Sequence, residues 1–210
     1  MIVDKFYNNK VFEGITKITD VMLIGFYFIF CSIPIFTIGA SLTALYYATH
    51  KCIYKGKGYT TEFFHSFKDN FKQSTLSWLI FMVLFAVLSG DIYITRKLIP
   101  AGNPLSVATI FFAIVLLFII LWAIYHFAYI ARFENGFGAS FKISAIFMIA
   151  NLGYTLVMLV LIVAIIYLVY KFMFLLFFLP GITSCTLHPI LEKVFRRYMS
   201  EEDLIKEDQM

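Results

Sequence analysis

From Ile18 to Tyr47 the chain is predominantly apolar, yet within that run Ile33 to Ala48 reads IPIFTIGASLTALYYA. A helix breaker, a hydroxyl, a glycine and a second hydroxyl (Pro34, Thr37, Gly39, Ser41) follow one another before apolar sequence resumes. At 1.5 Å rise per residue, the run is long for one crossing of a hydrocarbon layer about 30 Å thick and short for two. A partial echo lies near the other end, where Leu179 to Leu191 reads LPGITSCTLHPIL and Pro180, Gly181, Thr183 and Ser184 play corresponding parts.

Such runs demand lipid, and the composition agrees. Hydrophobic residues make up 61% of the 210 and charged residues 14%, against roughly 45–50% and about 25% in a soluble domain. A fold with a wetted surface is excluded. The net charge of +4 comes from basic residues clustered in connecting segments, which suits anionic lipid headgroups at the cytoplasmic face rather than nucleic acid. The amino terminus lacks the ordered charged, apolar and cleavage regions of a signal peptide, so insertion is expected from the spans themselves.

Loop charge chooses between one crossing and two for the first run. If residues 18–47 cross once, giving five spans in all, 11 of the 17 Lys and Arg residues lie inside and 6 outside; if they reverse at Pro34–Gly39, the split is 14 and 3. The hairpin obeys the positive-inside rule far better. A reversal at the outer face also lets water satisfy the backbone groups that Pro34 and Gly39 free. The expected architecture is an all-α transmembrane bundle forming a single domain, with both termini cytoplasmic and about six spans. These fall near 13–33, 38–54, 76–94, 105–130, 147–169 and 172–191, followed by a charged tail over 192–210. Pro100, Gly102, Asn103 and Pro104 make an external turn. The last reversal falls at Tyr170–Lys171 or at Pro180–Gly181, with the same span count either way; Lys171 is preferred, since an unpaired ammonium in mid-span costs about 2.5–3.5 kcal/mol on insertion scales.

The largest cytoplasmic loop carries a helix over 60–73, capped by Thr60 or Thr61. Its Phe63, Phe64, Phe67 and Phe71 share one face while His65, Lys68, Asp69 and Lys72 look away. The spacing predicts a helix lying in the interface. Phe63, Phe67, Lys68, Phe71 and Lys72 form its candidate face for lipid or a soluble partner. Residues 139–153 repeat this segment weakly, with Phe67 and Phe147, Thr75 and Thr155, and Leu76 and Leu156 each 80 apart, a hint of duplication.

Reaction chemistry is not evident. The four histidines, His50, His65, His126 and His188, stand isolated from one another in sequence, and no HExxH is present. Asp20, Asp91, His126, His188 and Glu192 fall towards span ends, where snorkelling or local pairing accounts for them. Cys31, Cys52 and Cys185 are too scattered for a metal site or a disulfide framework. The expectation is no catalytic residue, no cofactor and no metal. The candidate centre is the pair of helix breaks, Pro34, Thr37, Gly39 and Ser41 with Pro180, Gly181, Thr183 and Ser184. Broken helices in transporters expose dipoles that hold ions or substrates, while small residues also let spans pack closely.

Four segments carry a resemblance: CSIPIFTIGASLTALYYATHK (Cys31–Lys51), GYTTEFFHSFKDNFKQSTLSWL (Gly58–Leu79), YIARFENGFG (Tyr129–Gly138) and LHPILEKVFRRY (Leu187–Tyr198). Together they resemble the YesL family of bacterial membrane proteins, a family of unknown function. Lys55-Gly56-Lys57 departs from the acidic residues looked for there. The resemblance implies a cell-membrane protein, an accessory component of carbohydrate uptake by an ABC-type importer, with importer subunits as partners and no established site residues. Neither Lys51–Lys72 nor Arg132–Lys142 has the EAA-type pattern of a permease that docks an ATPase. The alternative is a small stand-alone secondary transporter or channel with its site at the two breaks.

Overall fold

The computed structural model describes residues 10–55, 59–99, 103, 106–201 and 204, with the side chains of 10–18 and 53–59 excepted. Pro100, Gly102, Pro104, Gly56, Lys57 and the end of the charged tail lie outside the described residues.

The described residues are helical, with no strand. The helices are α1 (Lys10–Cys31), α2 (Ile38–Lys55), α3 (Tyr59–Asp69), α4 (Phe71–Leu98), α5 (Val107–Arg132), α6 (Phe137–Ala150), α7 (Leu152–Lys171) and α8 (Leu179–Arg196). Three of them are long and apolar enough to cross a membrane: α4 with 28 residues, α5 with 26 and α7 with 20. Their outward residues, among them Val83, Ile110, Phe111, Val160 and Ile166, are large, apolar and exposed. A chain with such surfaces is a membrane protein.

The first apolar run does reverse. Helix α1 stops at Cys31, a 3₁₀ turn spans Ile35–Thr37, and α2 returns along α1. Ile24 packs with Ala44, Leu45 and Ala48, and Cys52 Sγ lies 3.7 Å from Asp20 Oδ2 at the opposite end of the hairpin. Protein groups bond three carbonyls of this turn. Thr37 Oγ1 lies 2.6 Å from both Cys31 O and Pro34 O, and Trp78 Nε1 of α4 donates to Ile35 O at 2.8 Å. Ile33, Ile35 and Phe36 are exposed. The turn thus presents greasy side chains outward while carbonyls of Cys31, Pro34 and Ile35 are bonded within the protein.

The other reversal occupies residues 172–178. Helix α7 ends at Lys171, a 3₁₀ segment covers Met173–Phe177, and Pro180 falls in the first turn of α8. There a proline is tolerated, because the N–H it lacks has no helical partner anyway. Pro180 therefore starts a helix rather than breaking one, and the span expected over 172–191 becomes a helix over Leu179–Arg196. Gly181 allows α8 to pass close to α1, since a Cβ there would lie 2.5 Å from Val21 O.

Helix α3 ends at Asp69, earlier than the expected 73, because Asn70 leaves helical geometry before α4 begins. Its aromatic face turns towards protein. Phe63 is fully buried against Ile24, Ala44, Ala48 and Cys52, its ring 6.4 Å from that of Phe67. Of the predicted face, the hairpin thus covers Phe63 and part of Phe67, and Lys68, Phe71 and Lys72 stay on the surface.

A long helix, a short helix, a non-helical asparagine and another long helix occur twice in succession, as α2–α3–α4 and α5–α6–α7. Asn70 Nδ2 donates to Ser66 O at 3.2 Å and Asn151 Nδ2 to Phe147 O at 3.0 Å. Four residues beyond each asparagine a hydroxyl meets the first helix of its unit: Ser74 with Thr43 at 2.8 Å, and Thr155 with Tyr125 at 3.2 Å. Asn70 and Asn151 are 81 apart, so the structural register is offset by one from the 80-residue spacing of Phe67 and Phe147.

Candidate functional site

Helices α2, α5 and α8 each carry polar residues into the interior, and these converge. On α2, Tyr46 and His50 are four apart, as are His188 and Glu192 on α8, so each pair shares one helix face. Arg132 closes α5. Tyr46, His50, His188 and Glu192 are all buried.

Glu192 is the hub of the cluster. Its Oε1 accepts from the Tyr46 hydroxyl at 2.7 Å and from Arg132 Nε at 2.8 Å, while Arg132 Nη2 donates to Oε2 at 3.1 Å. The guanidinium thus grips the carboxylate bidentately, the strongest pairing available to either group. His50 Nδ1 faces His188 Nε2 at 3.0 Å, so one of these nitrogens carries a proton and the other accepts it. Both imidazoles border the carboxylate, with His50 Nδ1 3.4 Å and His188 Nε2 3.8 Å from Oε1. The Tyr46 ring lies beside His188, centroids 5.1 Å apart.

The expectation that the histidines stand apart therefore fails for His50 and His188. Residues 138 positions apart meet because α2 and α8 cross. The sequence does hold a signal, an i,i+4 pair of polar residues on each of two helices, but nothing in it says that the pairs face each other. His50, His188 and Glu192 offer three ligand atoms within 4.8 Å of one another, a donor set that could hold a metal ion.

His126 of α5 forms a second polar centre. It is fully buried, with Nε2 2.9 Å from Ser77 Oγ of α4 and Nδ1 3.2 Å from Ser144 Oγ of α6. Both ring nitrogens are engaged, and the ring rests on Phe141 at 4.1 Å between centroids. This arrangement reads as a bolt joining three helices.

The two sets of helix-break residues have different surroundings. Pro34 is exposed, Thr37 closes the α1–α2 turn, Gly39 lies against Ser74 and Trp78 of α4, and Ser41 is buried. Pro180 and Gly181 open α8, and Ser184 Oγ pairs with Thr49 Oγ1 at 2.8 Å. A cavity of about 400 Å³ is lined by Pro180, Thr183 and Ser184, and by Tyr46 at the edge of the polar cluster. The rest of its wall is hydrocarbon or aromatic, including Leu42, Trp78, Ile124, Phe127 and Leu187, and none of Pro34, Thr37, Gly39 or Ser41 lines it.

Connections from several helices are tied at one end of the bundle. Gln73 Nε2 donates to Asn135 O at 3.2 Å and Ser140 Oγ at 3.0 Å, Asn151 Nδ2 donates to Tyr198 Oη at 3.1 Å, and Arg197 Nη1 reaches Asn151 Oδ1 at 3.3 Å. Lys68, Lys72, Arg132, Lys142, Lys193, Arg196 and Arg197 all flank these contacts in sequence or take part in the cluster beneath them. Arg96, Lys97 and Lys171 occupy the far ends of α4 and α7.

Residues 21–92 match the model of a family described as "Protein of unknown function, DUF624". The match takes in Tyr46 and His50 but leaves Arg132, His188 and Glu192 outside. No curated protein and no solved structure matches the chain.

Proposed function

We propose that this chain is a non-enzymatic, multi-pass protein of the bacterial cytoplasmic membrane, an accessory component of carbohydrate uptake by an ABC-type importer. It crosses six times, and both termini and the cationic end lie in the cytoplasm. The uptake role rests on the resemblance to the YesL family over four segments; the family match over 21–92 contains the first two of them and is to a family of unknown function. Six crossings rest on the reversals at 32–37 and 172–178, and the orientation on the uneven distribution of cations between the two ends.

The observation favouring a partner role over self-contained transport is the wall of the 400 Å³ cavity, where only Tyr46, Thr183 and Ser184 bring side-chain hydroxyls. An ion or sugar passing through needs polar groups in place of its hydration shell. The available docking face is the outer side of α3 and the start of α4, where Phe64, Lys68, Phe71 and Lys72 are exposed. Affinity capture from native membranes tests the reading. Importer subunits are expected with the wild type and are depleted by Phe64→Ser/Phe71→Ser; capture of none with the wild type ends it. Thr183 and Ser184 on the cavity wall favour the second reading, a stand-alone transporter or channel, which requires solute flux into liposomes containing this chain alone.

A further inference from the structure

The His50, His188 and Glu192 triangle has dimensions of its own. Three points separated by 3.0, 3.4 and 3.8 Å share a centre about 2.0 Å from each, and zinc–nitrogen and zinc–oxygen bonds measure 2.0–2.2 Å. We infer that His50 Nδ1, His188 Nε2 and Glu192 Oε1 form a binding site for a first-row divalent cation of the zinc type, with Arg132 as the competing occupant of the carboxylate.

The donors suit such an ion. Two imidazoles and one carboxylate are the ligands of a borderline metal, whereas magnesium and calcium select oxygen. The ligands come from two helices whose crossing is fixed elsewhere by the Thr49–Ser184 hydrogen bond, so the triangle is held without the ion. Tyr46 donates to the same oxygen at 2.7 Å, the kind of outer contact that orients a ligating carboxylate. Arg132 is the least enclosed member, its side chain 13% exposed against 3% for Glu192. It can swing towards the cationic end, opening an approach to Oε1. Guanidinium and metal cannot both be held closely by one carboxylate inside the bundle, since the repulsion between them is little screened there. Binding therefore trades one cation for the other, and it goes beyond the uptake reading without depending on it.

Titration of the full chain in detergent, stripped with a chelator and then loaded with Zn²⁺ or Co²⁺ alone, tests the site. One ion per chain is expected, with a visible cobalt spectrum of low-symmetry coordination. His50→Gln and His188→Gln weaken binding by more than about 100-fold, beyond the 10–100-fold expected of outer contacts such as Tyr46→Phe. Arg132→Gln binds about tenfold tighter, the reverse of what a purely structural Arg132 gives, and its unfolding temperature rises more on adding Zn²⁺ than that of the wild type. His65→Ala, at an exposed pair with Asp69, leaves the tight site intact and exposes adventitious surface binding. Zinc X-ray absorption on the loaded wild type needs no variant and must report two imidazoles. Absence of one-to-one binding, fewer than two imidazoles, or unchanged affinity in folded His188→Gln overturns the assignment.

Discussion

Glu192 illustrates how far a single residue's neighbours set its meaning. An ionised carboxylate among helices is tolerable because Arg132 and Tyr46 fill its lone pairs. Removing Arg132 alone leaves the charge stranded, so Arg132→Met lowers unfolding stability by about 3–5 kcal/mol without added metal. Arg132→Met/Glu192→Met costs much less than the two single changes together, and a double-mutant cycle of unfolding midpoints in detergent checks this. Two glycines make a contrasting pair. A Cβ on Gly39 would lie 2.6 Å from Trp78 Cβ, whereas one on Gly90 meets nothing. Gly39→Ala forces α2 from α4 and destabilises by about 1–3 kcal/mol; Gly90→Ala is neutral or gains up to about 1 kcal/mol from helix propensity. The same unfolding measurement ranks them.

At the scale of elements, helix α3 shows what spacing can and cannot reveal. The recurrence of Phe63, Phe67 and Phe71 identifies an apolar face, but periodicity is silent on what covers it. The α1–α2 hairpin takes Phe63, leaving Phe64 and Phe71 on the surface. Phe63→Ala therefore costs about 3–5 kcal/mol as a core truncation, while Phe64→Ala stays within about 0.5 kcal/mol. Equal losses would mean that α3 does not dock on the hairpin. The turn between α1 and α2 makes the same point. Pro34 signals a reversal in the sequence, and Thr37 and Trp78 bond carbonyls of that turn, Trp78 from a position no local pattern links to it. Thr37→Val leaves the part-buried Cys31 carbonyl short of a donor, while Pro34 O keeps the Thr37 N–H, and lowers stability by about 1–3 kcal/mol, read as an earlier loss of helix on heating.

Over the whole molecule, the cationic connections share one end, and labelling of single introduced cysteines tests the proposed orientation. In a background without Cys31, Cys52 and Cys185, positions 68, 142 and 197 should react from the cytoplasmic side and positions 96 and 171 from outside. Reaction of 68 and 197 from opposite sides would remove the six-span arrangement. Membrane class, helical content and both reversals could be read from the chain because each depends on local quantities: apolar density, run length, and a proline or lysine at a fixed place. The site could not. His50 and His188 belong to helices separated by most of the chain, and Arg132 to a third. Only the crossing of α2, α5 and α8 brings them to one carboxylate, because hydrogen-bond partners between distant segments are chosen by packing, which no local pattern encodes.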